Sequence, residues 1–439
     1  MKKTKKVLSV LLCAILAISL VACAAPGSGG GGAAPAASGG SEALTGNLRF
    51  WHHNTGDNRR IPIQDGVDEF TTANPGVSVE VEVIANDVYK TQLRTAMAGG
   101  DGPGIFHSWG GGWLQAFARE GLVVDISNDV SGWAHHFSPA AVGMVTFDGG
   151  MWAVPYINSA TFLYYNIEMF DRLGISPPNT MAELEHVAQV LLDNGIVPFA
   201  EANLTRWPGA QHFVFLSMRI GGPDIFQRAI SGEVRFDDPV FIQAGEKLQD
   251  MVRKGWFPEG HNGMNWDTGE SRMMMYAEQA GMILQTSGFI ASAFNENQDF
   301  FPHLGIHQYP AVEGGAGIQT DMLAGVNALS VSVFADNPTA AVGLIEVLTT
   351  GLTTQQGLAD GGTIAALRGV TYGTEQLQTG VGILANATFM QNFIDQTLTP
   401  RLTDAHLGTA QALHGLTMTP VEAAAEMQRV YEADDGSFD

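Results

Sequence analysis

An α/β fold is what this 439-residue sequence predicts, on three observations. Short apolar segments alternate with stretches of helical periodicity from about residue 47 onward. One of them, Val77-Ser-Val79-Glu-Val81-Glu-Val83, alternates at a strict period of two, the mark of a half-exposed strand. The breaks fall on turn-forming clusters such as Asn74-Pro75-Gly76 and Gly99-Gly100. Strand–helix–strand–helix order of this kind calls for parallel pairing.

Taken in order, residues 47–56 read as a short strand running into a turn. Ile61, Ile63, Val67 and Phe70 then fall close to helical spacing over 61–74. Asn74-Pro75-Gly76 stops that helix, since proline cannot continue it and glycine accepts the turn. After the alternating strand comes a helix from about Val88 to Ala98. Ile105 and Phe106 open a further strand, and Leu114 to Arg119 a helix. Farther on, 180–194 and 239–254 look like amphipathic helices and 210–220 an apolar one. Residues 278–285 and 325–334 read as strands, Thr339 to Leu348 as a helix after Asn337-Pro338, and 384–433 as mostly helical.

Hydrophobic content of 45% with 15% charged residues describes a chain with a sizeable core. A formal charge of −23 argues against nucleic acid and against basic adhesion to an anionic surface. The amino terminus has its own signature. Lys2, Lys3, Lys5 and Lys6 precede an uncharged, mostly apolar run from Val7 to Ala22, too short to span a bilayer as a helix. This is the pattern of a secretory signal peptide over residues 1–22. Leu20-Val21-Ala22-Cys23 is similar to the lipobox of bacterial lipoproteins, which implies that Cys23 is acylated and leads the mature chain. Cys13 lies in the segment to be removed, so no internal disulfide is expected and the fold must rest on packing. Ala24 to Gly46, rich in Gly, Ala, Ser and Pro, reads as a flexible tether.

Beyond these patterns the body resembles a family, the extracellular solute-binding proteins (family 1) of sugar-importing ABC transporters. Phe70-Thr-Thr-Ala-Asn74-Pro75-Gly76-Val77 looks like its helix–turn–strand signature, and Tyr89 to Pro103 like its next helix and Gly-Asp turn. Gly104-Ile105 replaces the usual Asp-Val after that proline. The strongest block is Trp152-Ala-Val154-Pro155-Tyr156, followed by Leu163-Tyr164-Tyr165-Asn166 and Pro177-Pro178-Asn-Thr180; Asn337-Pro338-Thr-Ala340-Ala341 matches later. The resemblance covers roughly 47–350. It implies a two-lobed, periplasmic-binding-protein-like fold (type II) with ligand in the cleft between lobes. The lobes would be 47–155 plus 310–370 and 156–309 plus 371–439. Crossovers would lie near Val154–Ser159 and Tyr309–Gly317.

A sugar site needs aromatic platforms for C–H faces and polar side chains for hydroxyl edges. Ligands in open α/β sheets gather beyond the carboxyl ends of strands. Trp51, Asn54 and Asp57 follow the first strand and Trp109 follows Phe106, so all four are expected to face the cleft. Tyr156 and Asn158 lie at the first expected crossover. Asn203 and Trp207 lie in an irregular stretch before an apolar helix. Trp266, Ser287, Gly288, Phe289 and Asp321 complete the expected set, with Gly288 offering close backbone approach.

Searches for catalytic and cofactor motifs find little. The sequence after residue 22 holds no Gly-x-Ser-x-Gly elbow, no His-Glu-x-x-His and no nucleotide loop. His52-His53 and His135-His136 are adjacent pairs, which in a strand point to opposite faces and suit joint metal binding poorly. Asp434-Asp435-Gly436 is too incomplete for a calcium loop. No metal, cofactor or catalytic group is therefore expected. The resemblance implies a monomeric receptor for a carbohydrate, an oligosaccharide, held outside the cell membrane by its lipid and delivering cargo to a permease. A tethered polysaccharide hydrolase or lyase, or the same fold serving a non-sugar solute, are the alternatives.

Overall fold

The computed structural model describes residues 43–434. The signal segment, Cys23, most of the tether and the end of the acidic tail lie outside the described residues. The strands are β1 (Gly46–His52), β2 (Val77–Val83), β3 (Ile105–Trp109), β4 (Thr146–Phe147), β5 (Gly150–Met151) and β6 (Val154–Asn166). They continue with β7 (Val197–Phe199), β8 (Ala280–Thr286), β9 (Leu304–His307), β10 (Asp321–Val331) and β11 (Phe389–Gln391). Among the described residues one sheet runs β2-β1-β3-β10-β6-β8-β7, with β11 added on β10 and β9 on β6; β4 and β5 form a separate hairpin.

β1 pairs in parallel with both β2 and β3. This is the topology the strand–helix alternation demands, with α1 (Asp57–Ala73), α2 (Asn86–Ala98) and α3 (Gly112–Arg119) as connections. α1 turns Ile63, Val67 and Phe70 inward at helical spacing, and Asn74 ends it by donating backbone and side-chain N–H groups to the Phe70 carbonyl. β2 is an edge strand, and its outward Glu80 and Glu82 leave charge where another chain could otherwise pair. Gly46, expected at the end of the tether, is already in register with Val77.

Two long strands carry the chain between cores. The first core takes residues from Leu48 to Ile157 and again from Val326 to Ala366. Two further cores, built on both faces of β6 and β8, begin at Ala160 and Leu163 and extend to Val430. β6 therefore changes core between Ile157 and Ala160, and β10 between Ala324 and Val326. A third passage runs through Ala365, which bridges to Ile157.

The return passage differs from the expected Tyr309–Gly317. Tyr309 is fully buried in the second core, stacked on Phe215 at 4.8 Å. Arg219, also fully buried, holds that region in place by donating to the carbonyls of Tyr309, Pro310, Gln319 and Asp321. The chain is thus committed to the second core until β10. The last segment belongs there too, with Leu398, Leu402, Leu413, Ala423 and Met427 packed into it.

Candidate functional site

A cleft of about 780 Å³ opens between the first core and the other two, within the size range of ligand sites. Its floor includes Ser159 of β6 and Asn327 of β10. One wall is the segment leaving β1, from His53 to Arg59, joined by Ala85, Asn86, Lys90 and Trp109. The opposite wall carries Trp207, Trp266, Asp267, Arg272, Thr286, Gly288, Ala291, Ser292, Asn295 and Glu296. Phe393, Asp395 and Gln396 close one end. The carboxyl ends of β1, β3 and β8 all deliver residues to this space, as open α/β sheets require.

Aromatic side chains stand on both walls, Trp109 largely buried in the first core and Trp207 and Trp266 half-buried opposite it. Trp109 lies 5.4 Å from the His53 ring, nearly parallel, and carries Lys90 Nζ at 4.8 Å over its own ring. Across the cleft Trp207 meets Trp266 edge to face at 6.0 Å. Arg272 lies 4.8 Å over Trp266 and reaches Glu296 through two N–H groups at 2.9 and 3.0 Å. Trp207 starts its helix from a strained support. Arg206 has φ +67°, and the Trp207 N–H donates across it to the Thr205 carbonyl. This is a γ-turn of the unfavourable hand, and strain of that kind gathers where function needs a fixed direction.

The polar complement is mostly paired. Asp57 accepts from Arg60, Asp395 from Lys90 and Glu296 from Arg272. Arg59 is different: its Nε donates to Thr363 Oγ1, and among the described residues it pairs with no carboxylate. Burial and the nearby Arg59 hold the His53 imidazole down at about 3, so it is neutral in ordinary solution. Asn54 Oδ1, Trp207 Nε1 and Gln396 Oε1 are buried without a hydrogen-bond partner among the described residues. All three residues line the cleft. Buried polar atoms are expensive to leave unpaired, so a bound molecule that supplies partners is favoured.

Of the residues expected at the site, Asn54, Asp57, Trp109, Trp207, Trp266 and Gly288 are brought together on the cleft wall. The others stand behind it. Trp51 is still inside β1, buried among first-core side chains with Arg49 over its ring, because the strand runs on to His52. Tyr156 is buried, its hydroxyl tied to Asn54 and His107. Asn158 donates to the Ala365 carbonyl at the third passage. Asn203 has no exposure and braces the turn before Trp207 through Asn262 and the Gly209 N–H. Ser287 precedes the helix Gly288–Glu296 and is buried; Phe289 is core. Asp321 accepts from the Ile318 N–H and is buried beside the Arg219 carbonyl cluster.

Sequence reasoning passed over His53, Arg59, Lys90, Arg272, Asn295, Glu296, Asn327, Asp395 and Gln396. His53 was within reach, since it follows the same strand end as Asn54. Asp395 and Gln396 arrive from a part of the chain with no recognisable motif. Among the described residues no group of three or more His, Cys, Asp or Glu is placed to hold a metal ion. No described helix is long and apolar enough to cross a membrane.

An α/β molecule with an aromatic, polar-lined cleft at the passage between its first core and the other two has the architecture of a binding protein. The chain belongs to the bacterial extracellular solute-binding protein family, whose profile matches residues 56–350. An uncharacterised ABC transporter extracellular-binding protein of Pyrococcus horikoshii is 24% identical over 310 residues, 67% of this chain and 68% of the relative. An sn-glycerol-3-phosphate-binding periplasmic protein of Rhizobium meliloti is 22% identical over 288 residues, 61% of this chain and 63% of the relative. Among solved structures, a protein from a study of xylan utilisation by the thermophilic bacterium Caldanaerobius polysaccharolyticus superimposes with a TM-score of 0.81. It is 27% identical, and the match covers 87% of this chain and 99% of the other. A chitin oligosaccharide binding protein gives 0.82 at 20% identity, covering 89% and 98%.

Proposed function

We propose that this chain is the receptor of an ABC importer and that its cargo is an oligosaccharide, captured outside the membrane and handed to the permease. The observation that carries this reading is the cleft itself. It pairs Trp109, Trp207 and Trp266 with the unpaired polar atoms of Asn54, Trp207 and Gln396. Tryptophan faces suit the C–H surfaces of sugar rings, and the unpaired donor and acceptors suit their hydroxyl edges. A volume of about 780 Å³ favours more than one ring. Several cleft carboxylates already hold a cation, Asp57, Glu296 and Asp395 among them, which favours binding over acid–base catalysis.

Cargo that touches both walls favours a closed arrangement through the contacts made only there. The permease would recognise that arrangement. Acylation at Cys23, through the lipobox-like Leu20-Val21-Ala22-Cys23, would keep the receptor at the extracellular face of the cell membrane. Metabolic labelling with palmitate checks the anchor, and Cys23→Ala is expected to abolish labelling.

The deciding experiment is a thermal-unfolding panel of xylo-, chito- and malto-oligosaccharides, raffinose and stachyose, with sn-glycerol 3-phosphate alongside. A cognate sugar at a hundred times its Kd stabilises by about 2.7 kcal/mol and raises the midpoint by several degrees. A shift with the phosphate ester alone, or release of reducing ends from any glycan, would refute the reading.

A further inference from the structure

Behind the cleft wall a chain of side chains leads from Asn54 into the first core. Asn54 Nδ2 lies 2.8 Å from Tyr156 Oη, which lies 2.7 Å from His107 Nδ1. His107 Nε2 in turn lies 2.9 Å from His53 Nε2. Tyr156 and His107 are both fully shielded from solvent, so every proton in the chain has to be shared among these four residues.

Counting hydrogens leaves two settings. In one, the Asn54 amide donates to Tyr156, Tyr156 donates to His107 Nδ1, and His107 Nε2–H donates to His53 Nε2. His53 then carries its proton on Nδ1. In the other, every bond is reversed and Asn54 turns its NH₂ to the cleft instead of its oxygen. The orientation of Asn54 decides between them, because its amide nitrogen, not its oxygen, lies 2.8 Å from Tyr156 Oη. An amide nitrogen only donates, so Tyr156 donates its own hydrogen to His107 Nδ1 and His107 carries its hydrogen on Nε2. The first setting follows, and Asn54 Oδ1, buried and without a partner, is the atom left over at the cleft wall.

We infer that Asn54 is a specificity-determining residue whose oxygen is offered to the ligand as an acceptor, with Tyr156, His107 and His53 as the positioning residues that fix its orientation. This rests on the sugar-receptor reading and sharpens it. The site selects a cargo that presents a hydroxyl hydrogen at this point and rejects one that presents only an acceptor there, such as an ether oxygen.

The test needs no ligand. Nitrogen-15 NMR of histidine-labelled protein reads the tautomer of each ring. His107 is expected as the Nε2–H form and His53 as the Nδ1–H form, both neutral from pH 5 to 8; the opposite pair would overturn the inference. Asn54→Asp supplies a second measurement. A carboxylate cannot donate to Tyr156, so Tyr156 must donate to it, and His107 is expected to switch to the Nδ1–H form. Unchanged tautomers in Asn54→Asp would equally overturn it, and a merely structural Asn54 gives no reason for the switch. For the tightest-binding sugar of the panel, Asn54→Leu is expected to lose at least about tenfold in affinity. If no sugar binds, the receptor reading fails while the tautomers still report on the chain.

Discussion

Lys90 Nζ lies 3.1 Å from Asp395 Oδ2, and this contact joins the two sides of the cleft. Lys90 comes from α2, whose Tyr89 and Leu93 lie in the first core. Asp395 comes from the short helix Ile394–Thr397, whose Ile394 lies in the second. Both side chains are largely shielded, at 29% and 19% exposure, so the pair lies between the weak surface case and the costly buried one. Asp395→Ala leaves Lys90 half-buried and unpaired over Trp109. It is expected to cost about 1–2 kcal/mol in urea unfolding. A double-mutant cycle with Lys90→Met should recover a coupling of about 1 kcal/mol; additivity of the two changes would show that the contact is energetically idle.

The neighbouring glycines explain why that helix can approach so closely. A Cβ at Gly112 would sit 2.0 Å from the Thr397 carbonyl oxygen, and Gly111 has φ +90°. The run Gly110-Gly111-Gly112 follows Trp109 directly, and only residues without side chains let the end of β3 touch the Gln396–Thr397 backbone.

Trp207 is the platform with the most specific support, held by the strained turn at Arg206 and faced by Trp266. Trp207→Ala is expected to weaken binding of the cognate sugar by about 1.5–3 kcal/mol, a factor of roughly ten to a hundred and fifty. Trp207→Phe keeps a ring but removes Nε1–H, which has no partner among the described residues. Isothermal calorimetry on the two variants separates stacking from hydrogen bonding. Equal affinities for wild type and Trp207→Ala would remove this residue from the site.

Local pattern carried much of the fold. Val77–Val83 was readable as a strand because alternation at period two is a short-range signal, and the structure gives it those bounds. The end of α1 was readable because Asn74-Pro75-Gly76 permits nothing else. The cleft was harder. Trp51 and Asn54 stand three residues apart near one strand end, yet one is core and the other wall, because β1 extends two residues beyond Phe50. Asp395 meets Lys90 across 305 positions of chain, and no local pattern reports a contact between surfaces that meet only after both cores have formed. The expected return at Tyr309–Gly317 failed for a related reason: the buried Arg219 that secures this region is some 90 residues upstream.

Arg219 itself supports a sharper expectation. Its guanidinium donates to the carbonyls of Pro310, Asp321, Tyr309 and Gln319 at 3.0–3.2 Å, and lies 5.2 Å over Phe215. Arg219→Met fills the space but leaves those carbonyls without their donor, which is expected to cost about 3–5 kcal/mol. Lysine has three donors on one atom and cannot span the same fork, so Arg219→Lys should recover only part of the loss. Chemical denaturation measures both, and a cost below about 1 kcal/mol for Arg219→Met would show that the carbonyl cluster is satisfied by other means.

Stability against pH should show two limbs of opposite sign. Burial holds His52 and His406 at about 4 and His53 and His414 at about 3, against an ordinary 6.5. Below 6.5 the unfolded chain takes up protons that the folded chain refuses, so stability falls as pH drops from about 6.5 towards 4. Each differential proton contributes about 1.4 kcal/mol per pH unit. Glu201 works the other way. It is buried with Oε2 3.6 Å from His212 Nε2, and burial pushes its carboxyl up to about 8 from an ordinary 4.5. The folded form keeps a proton that the unfolded form releases, so this contribution is present below 4.5 and is lost as pH rises to about 8. The depressed histidines outnumber this single acid. Melting temperature should therefore climb steeply from pH 4, level near 6.5 and decline gently towards 8. Glu201→Gln removes the titrating group while keeping its shape, and should flatten the alkaline limb and steepen the rise between about 4.5 and 6.5, where the two contributions oppose each other. An alkaline limb that survives Glu201→Gln would place its origin in another group.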